Sequence, residues 1–172
     1  MKIKSLFSLA TAAALSMGIA TSATAEDKVL LKLPVWFGTH LTGLGSSPLY
    51  FADTVNKASG GSLKVKIYEP GKLVATKEML ESVSNGAVNA GWGTPGYNTG
   101  LLGKKAAIFS AVPFGPEAPE FMAWVYYGGG RELWQKLYDD AGYNVHAVPC
   151  SIIAPETSGW FTKEINSVED LD

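Results

Sequence analysis

The sequence has little of the chemistry that most catalytic and metal-binding sites use. Cys150 is the only cysteine, so no internal disulfide can form, and we expect a buried, inert thiol. His40 and His146 are the only histidines, and without a His-x-x-x-His or cysteine cluster they do not make a typical zinc site. A Gly-x-Ser-x-Gly elbow and paired carboxylates at a predicted strand end are also missing. The sequence therefore predicts a protein that is not an enzyme.

Basic charge and long apolar runs are scarce as well. Two of the 14 basic residues are lysines at the start of the chain, which leaves 12 basic residues against 16 acidic ones. The remaining lysines are too scattered along the sequence to form a nucleic-acid-binding surface. The apolar run Leu6–Ala20 is shorter than the ~20 residues of a membrane-spanning helix. Together with the small residues Ala23-Thr24-Ala25 it predicts an export signal over residues 1–25, with Glu26 as the first mature residue. The mature protein is expected in the periplasm.

Hydrophobic periodicity over the first hundred residues alternates between strand and helix. The predicted order is a strand at Lys28–Val35, a helix opened by Ser46-Ser47-Pro48, a strand at Leu63–Tyr68, a helix at Thr76–Asn85 and a short strand at Val88–Ala90. A βαβαβ order predicts an α/β fold with a parallel sheet and right-handed crossovers.

The second half of the chain is predicted to be mainly helical. Apolar residues at helical spacing indicate helices at Glu117–Tyr127 and Arg131–Asp140, and their aromatic residues favour the core over a ligand site. Alternation over Tyr143–Val148 predicts a fourth strand.

The loop Gly91–Tyr97 is the first candidate for a ligand contact. It is rich in glycine, is flanked by aromatics and follows a predicted parallel strand, and ligands bind beyond the carboxyl ends of such strands. An ordinary turn with a core tryptophan fits the same residues. The first strand ends in a comparable loop, whose histidine is equally compatible with a plain surface position. The candidates from these two loops are Trp36, His40, Trp92, Thr94 and Tyr97.

The same loop formally matches the dinucleotide pattern G-x-G-x-x-G. It follows the third predicted strand instead of the first, and Pro95 and Gly96 stand where a helix should begin. Glu117, about twenty residues on, lies in a proline-rich turn and not at a strand end. These departures argue against a nucleotide site.

Several motifs in a fixed order resemble the solute-binding subunit of TRAP (tripartite ATP-independent periplasmic) transporters, of the DctP type. The resemblance covers nearly all of the mature chain, and its nearest branch binds 2-oxo acids and related monocarboxylates. The motifs are Ser59–Val65, Gly71–Leu73, Glu78–Gly91, Val112–Gly115, Trp124 with Tyr127–Gly130, and Gly159–Ile165 before Asp170-Leu171.

The resemblance implies a periplasmic-binding-protein-like (type II) fold with two lobes. Residues 26–148 would form the first lobe, and residues 149–172 the crossover and the start of the second, so that the chain is an N-terminal fragment. In relatives an arginine that pairs with the substrate carboxylate follows shortly after the position of Asp172. Trp160 would stack on the substrate body. Glu156 stands where the branch has a glutamine, and is the candidate ligand for a bridging Na⁺ or Ca²⁺. A hydrogen-bond acceptor for a substrate amine or hydroxyl, or a solvated surface acid, fits the same residue.

The function that the resemblance implies is capture of a small organic acid and its delivery to the membrane permease subunits. The resemblance leaves open which acid is bound, whether a cation is required, and whether the intact protein forms a homodimer. An exported scaffold or interaction module that binds no small ligand is the alternative.

Overall fold

The structure is a computed structural model that describes residues 28–110, 112–153 and 159–171. The predicted export signal and Glu156 lie outside these ranges. The elements in chain order are β1 (Val29–Pro34), α1 (Ser46–Ala58), β2 (Leu63–Tyr68), α2 (Met79–Ser84), α3 (Thr99–Leu102), α4 (Ala118–Tyr127) and α5 (Gly130–Asp140). Short 3₁₀ turns lie at Thr76–Glu78, Pro95–Asn98, Lys104–Phe109 and Val168–Leu171. Among the residues that the structure describes, no helix is long and apolar enough to cross a membrane.

The two strands pair in parallel, as the alternating order predicts. Their register runs from Val29 opposite Leu63 to Pro34 opposite Tyr68, and α1 is the crossover between them. The outer edge of β2 is covered by a side chain: the Asn56 amide accepts a hydrogen bond from the Val65 N–H at 2.7 Å and donates one to the Val65 carbonyl at 3.3 Å. This cover satisfies part of an edge that would otherwise be open to pairing.

The predicted third strand, Val88–Ala90, is wrong as a continuous strand. Within the described residues no strand forms at 88–90, and the nearest pairing is one isolated parallel bridge between Val35 and Trp92. The reason lies in Asn89, whose side-chain amide donates to the Leu30 carbonyl and accepts from the Lys32 N–H, both at 2.7 Å. A side chain therefore occupies the place of a strand backbone along this part of β1, and the backbone itself pairs only at Trp92.

Two hydrophobic clusters form the core. The sheet cluster consists of buried Leu33, Ala52 and Val65 with Leu31, Phe51, Val55, Ile67, Ala90 and Trp92 packed against them. The helical cluster consists of buried Leu80, Leu102, Ala106, Phe109 and Leu137 with Trp124, Trp134, Tyr138, Tyr143 and Val145 around them. Helices α4 and α5 lie within one residue of their predicted bounds, and their tryptophans do pack in the core.

The predicted fourth strand, Tyr143–Val148, is also wrong. These residues are extended, but in the part of the chain that the structure describes they pair with no strand. Gln135 of α5 bonds to this backbone with its side chain instead: Nε2 donates to the Val145 carbonyl at 2.8 Å, and Oε1 accepts from the Ala147 N–H at 2.9 Å. The alternating pattern is correct, but the partner is a helix.

Candidate functional site

Three loops converge at the carboxyl edge of the sheet. Trp36–His40 follow β1, Glu69 follows β2, and Trp92–Tyr97 follow the Val35–Trp92 bridge. Backbone hydrogen bonds join the first loop and the end of β1 to the third loop: the Trp36 N–H donates to the Trp92 carbonyl, and the Trp92 N–H donates to the Pro34 carbonyl, both at 3.0 Å. This edge is where a parallel α/β sheet places its ligands.

An aromatic cluster joins the first and third of these loops. The ring of Tyr97 lies 5.1 Å from that of Trp36 and 5.9 Å from that of Phe37, and Tyr97 is 66% exposed. The Trp36 ring approaches the backbone of Gly93 so closely that a Cβ at that position would lie 3.0 Å from its Cδ1. Glycine at 93 therefore permits the two loops to pack face to face.

The side chain of Ser110 anchors the loop Gly91–Tyr97. Ser110 Oγ contacts the Thr94 hydroxyl and accepts a hydrogen bond from the Gly96 N–H at 2.7 Å. Thr94 thus has its hydroxyl engaged within the loop. Ser110 was not among the predicted residues, and no local pattern distinguishes it from other surface serines.

An open cleft of about 560 Å³ lies beside this edge. One wall is α1, the opposite wall is the extended chain at Val148–Cys150, and Trp92 lies between them with its ring 5.6 Å from Phe51. The α1 wall carries the hydroxyl side chains Ser46, Ser47, Tyr50 and Thr54 beside the apolar Phe51 and Val55. The cleft therefore combines aromatic surface with hydroxyl donors, and its described lining contains neither lysine nor arginine.

The predicted site residues occupy different places around this cleft. Trp92 lines it. Trp36, Thr94 and Tyr97 belong to the adjoining loops, and His40 is exposed at the same edge. Trp160 is 94% exposed, away from the cleft lining. Their part in binding stays a prediction.

The α1 wall was missed by the sequence analysis. Ser46, Tyr50 and Thr54 recur every four residues and so share one helix face, which is a signal that the sequence does contain. That face looks like an ordinary solvated surface until the extended chain opposite it is known.

The prediction for Cys150 is wrong in its burial, because the residue is exposed. Its thiol donates to the Val148 carbonyl at 3.3 Å. Partial burial by its neighbours raises the pKa of the Cys150 thiol. The low reactivity that the sequence predicts for this thiol stays a prediction.

Glu69 fixes the first loop to the second strand. Its carboxylate accepts hydrogen bonds from the Thr39 hydroxyl and from the Thr39 N–H, the latter at 3.2 Å. These bonds are the main reason why the pKa of Glu69 is lowered, and the nearby His40 contributes weakly. Within residues 28–110, 112–153 and 159–171, no three His, Cys, Asp or Glu side chains come together as a cation site. Glu156, the predicted cation ligand, lies outside these ranges, so a Na⁺ or Ca²⁺ site stays a prediction.

Comparison with known families gives a match over residues 39–172 to DctP, described as bacterial extracellular solute-binding protein, family 7. Among curated proteins, the chain is 37% identical over 122 residues to a monocarboxylate 2-oxoacid-binding periplasmic protein of Nostoc sp.. That match covers 70% of this chain and 32% of the relative.

Two solved TRAP periplasmic solute binding proteins have similar structures. The one from Colwellia psychrerythraea, with bound calcium and pyruvate, is 34% identical with a TM-score of 0.74. The one from Pseudoalteromonas atlantica, with bound sodium and pyruvate, is 33% identical with a TM-score of 0.73. Each match covers 84% of this chain and 43% of the solved chain.

The chain thus spans less than half the length of the relatives that it matches. The similarity confirms the predicted α/β, periplasmic-binding-protein-like (type II) fold. Because the family match covers well over half of the chain, the protein belongs to the DctP family of bacterial extracellular solute-binding proteins.

Proposed function

We propose that this chain supplies one wall of the binding cleft in the extracytoplasmic solute-binding subunit of a TRAP transporter. The subunit captures a small organic acid in the periplasm and delivers it to membrane permease subunits. The role is binding and delivery without catalysis.

The observation that carries the proposal is the convergence of three strand-end loops beside an open cleft. Trp92 and Phe51 offer flat apolar surface, and the hydroxyls of α1 offer hydrogen-bond donors. Small-molecule sites commonly combine an apolar lining with a few placed polar groups. A 2-oxo acid with a short carbon chain suits such a wall, and the relatives with the same fold hold pyruvate.

The carboxylate of the solute needs a cationic partner that the described cleft lining does not supply. We propose that this partner is an arginine of the second lobe, as the family resemblance implies. A charge-assisted hydrogen bond contributes about 1.5–3 kcal/mol, and a bidentate pair makes two of them. Closure of the second lobe over the cleft would then bring together the apolar wall described here and the charged group opposite.

Glu156 is the residue that we propose as a cation ligand. Carboxylate oxygens are ligands that Na⁺ and Ca²⁺ accept, and each of the two solved relatives has one of these ions bound as well as pyruvate. In the full-length protein, Glu156→Gln should weaken solute binding or remove a cation requirement. Equal affinity in the wild type and the variant, with and without a chelator, would show that Glu156 is a surface acid.

The test of the function is calorimetric titration of the full-length gene product with pyruvate, 2-oxobutyrate, lactate and succinate. We expect a saturable isotherm with at least one monocarboxylate. Absence of saturable heat with all four acids would favour the alternative of an exported scaffold module.

The same titration on the 172-residue chain gives the matched comparison. Loss of a bidentate arginine alone would weaken binding by hundreds-fold or more, since each 1.4 kcal/mol is about tenfold. We therefore expect no micromolar binding by this chain alone. A saturable micromolar isotherm with the isolated chain would show that one lobe is sufficient and that the arginine proposal is wrong.

A further inference from the structure

The wall opposite α1 is formed by an extended stretch, residues 143–150, which we call the crossover segment; it shares only its last two residues with the crossover predicted over residues 149–172. It begins after α5, where Gly142 turns the chain with a φ of 79°. Its side chains alternate in burial: Tyr143, Val145, Ala147 and Pro149 are half-buried, whereas the residues between them are exposed. The pattern is that of a strand, yet no described strand pairs with it.

Gln135 of α5 bonds to this segment in the way a parallel strand would. In a parallel ladder, one residue donates to the carbonyl before its partner and accepts from the N–H after it. The Gln135 amide donates to the Val145 carbonyl and accepts from the Ala147 N–H, the two groups that flank His146. Asn89 makes the same pair of bonds around Leu31 of β1.

The orientation of the Gln135 amide is itself fixed. Its nitrogen also donates to a carboxylate oxygen of Asp139, one helical turn on, at 2.9 Å. Because the nitrogen serves both Val145 and Asp139, the amide oxygen must face the Ala147 N–H. The conformation of the Gln135 side chain is therefore fixed in part by α5 itself.

The residues that Gln135 binds come immediately before the cleft wall in the sequence. Tyr143 and Val145 rest on the helical cluster, and the Asn144 N–H donates to Ser84 Oγ at 2.9 Å. In the described part of the chain, the bond from Ala147 to Gln135 is the last hydrogen bond to another element before the wall at Val148–Cys150. The hydrogen bonds of Gln135 are therefore the nearest described contacts that can fix the position of residues 148–150.

We propose that Gln135 is the positioning residue that fixes the crossover segment as the second wall of the cleft. The side-chain clamp takes the place of a strand partner and sets the distance between Val148–Cys150 and the α1 wall. That the crossover segment contacts solute rests on the proposed function. That Gln135 holds the segment in place does not.

The clamp can be tested without any solute, because Cys150 is a native probe in the wall. In the full-length gene product, the rate of maleimide labelling at Cys150 is measured by peptide mass in the wild type, in Gln135→Leu and in Asn89→Leu. Thiol reactivity follows the thiolate fraction and access. Release of the segment should remove the partial burial of Cys150, so we expect several-fold faster labelling in Gln135→Leu.

Asn89→Leu is the matched control, since it removes the same two kinds of hydrogen bond from β1. It should lower stability to a similar degree but leave the labelling rate of Cys150 within about twofold of the wild type. Equal labelling in the wild type and in Gln135→Leu, or an equal rise in both variants, would overturn the clamp.

Hydrogen exchange at the Ala147 amide supplies a second readout. Gln135→Leu should lose protection there, whereas Asn89→Leu, which removes the matching bonds from β1, should retain it. Loss of protection in both variants, or in neither, contradicts the proposed bond pattern.

Finally, Gln135→Leu should weaken pyruvate binding by the full-length protein. A changed labelling rate with unchanged pyruvate affinity would uphold the clamp and remove the crossover segment from the solute site.

Discussion

The sheet cluster and the helical cluster are assembled by different kinds of contact. Around the sheet cluster, β1 and β2 pair through their backbones over six residues in one register. Around the helical cluster, the extended chain at 143–148 is held by side chains of α2 and α5. The comparison shows that an alternating sequence defines which face of a chain is buried, but not whether a strand lies beside it.

The helical cluster should depend most on one aromatic side chain. Phe109 is 6% exposed and stacks on Trp134 at 5.2 Å and on Trp124 at 5.7 Å. Phe109→Ala removes this filling, and we expect a loss of about 3–5 kcal/mol in the free energy of unfolding, measured by urea denaturation. Ile108→Ala, at a residue that is 44% exposed, is the control and should cost far less. A loss below about 1 kcal/mol for Phe109→Ala would show that the cluster is not the core of this half.

The sheet cluster should tolerate truncation better, because backbone pairing also holds its strands. Val65 is 4% exposed, and Val65→Ala removes about two methylene equivalents, for an expected loss of about 2 kcal/mol. Urea denaturation under the same conditions measures it, with exposed Val29→Ala as the control. If Val65→Ala costs more than Phe109→Ala, the contrast between the two clusters is wrong.

The amide of Asn89 should contribute a similar or smaller amount to stability than the Val65 side chain. Asn89→Leu removes two hydrogen bonds from β1, each with a typical net contribution of about 0.5–1.5 kcal/mol, so we expect about 1–3 kcal/mol in urea denaturation. Asn85→Leu is the control, since its side-chain oxygen makes one local bond to the Ala87 N–H. Equal costs for the two variants would mean that Asn89 does not act as a strand substitute.

The smallest expected effect is the pH dependence of the Thr39–Glu69 contact. The folded pKa of Glu69 lies below its ordinary value of 4.5, because Thr39 bonds to the carboxylate. This stabilisation is present above the unfolded pKa and is lost as the pH falls through the lowered folded pKa. The Tm difference between the wild type and Glu69→Gln should therefore close between about pH 7 and about pH 3. A difference that stays constant over this range would show that the contact does not depend on the charge.

The sequence predicts the backbone-paired half well for a physical reason. Leu63–Tyr68 alternates apolar and lysine or tyrosine residues and is bounded by glycines, so both its face and its length are encoded locally, and β2 has the predicted bounds. Val88–Ala90 and Tyr143–Val148 alternate just as clearly. In the first stretch the side chain of Asn89 bonds to β1 in place of the backbone, and the second stretch is bonded by the side chain of Gln135. Nothing local distinguishes an amide that replaces a strand from one on a surface.

The candidate site likewise has one part that the sequence predicts and one part that it does not. Trp36 and the Trp92–Tyr97 loop could be predicted, because a loop beyond a parallel strand end is a local feature with a known place in the fold. The hydroxyl face of α1 and the wall at Val148–Cys150 could not. They become a cleft only when two segments about a hundred residues apart are brought together, and neither segment carries a motif of its own.

We propose that solute is held against Trp92 at the carboxyl edge of the sheet. The most direct measurement is calorimetric titration of the full-length protein with pyruvate in the wild type, in Trp92→Leu and in Tyr127→Leu. Tyr127 is 93% exposed and absent from the cleft lining, so it controls for loss of an aromatic side chain elsewhere. We predict that Trp92→Leu, while still folded, binds pyruvate about tenfold or more weakly, a change of about 1.4 kcal/mol, and that Tyr127→Leu binds as the wild type does. Wild-type affinity in a folded Trp92→Leu protein would contradict the claim and move the solute away from this edge.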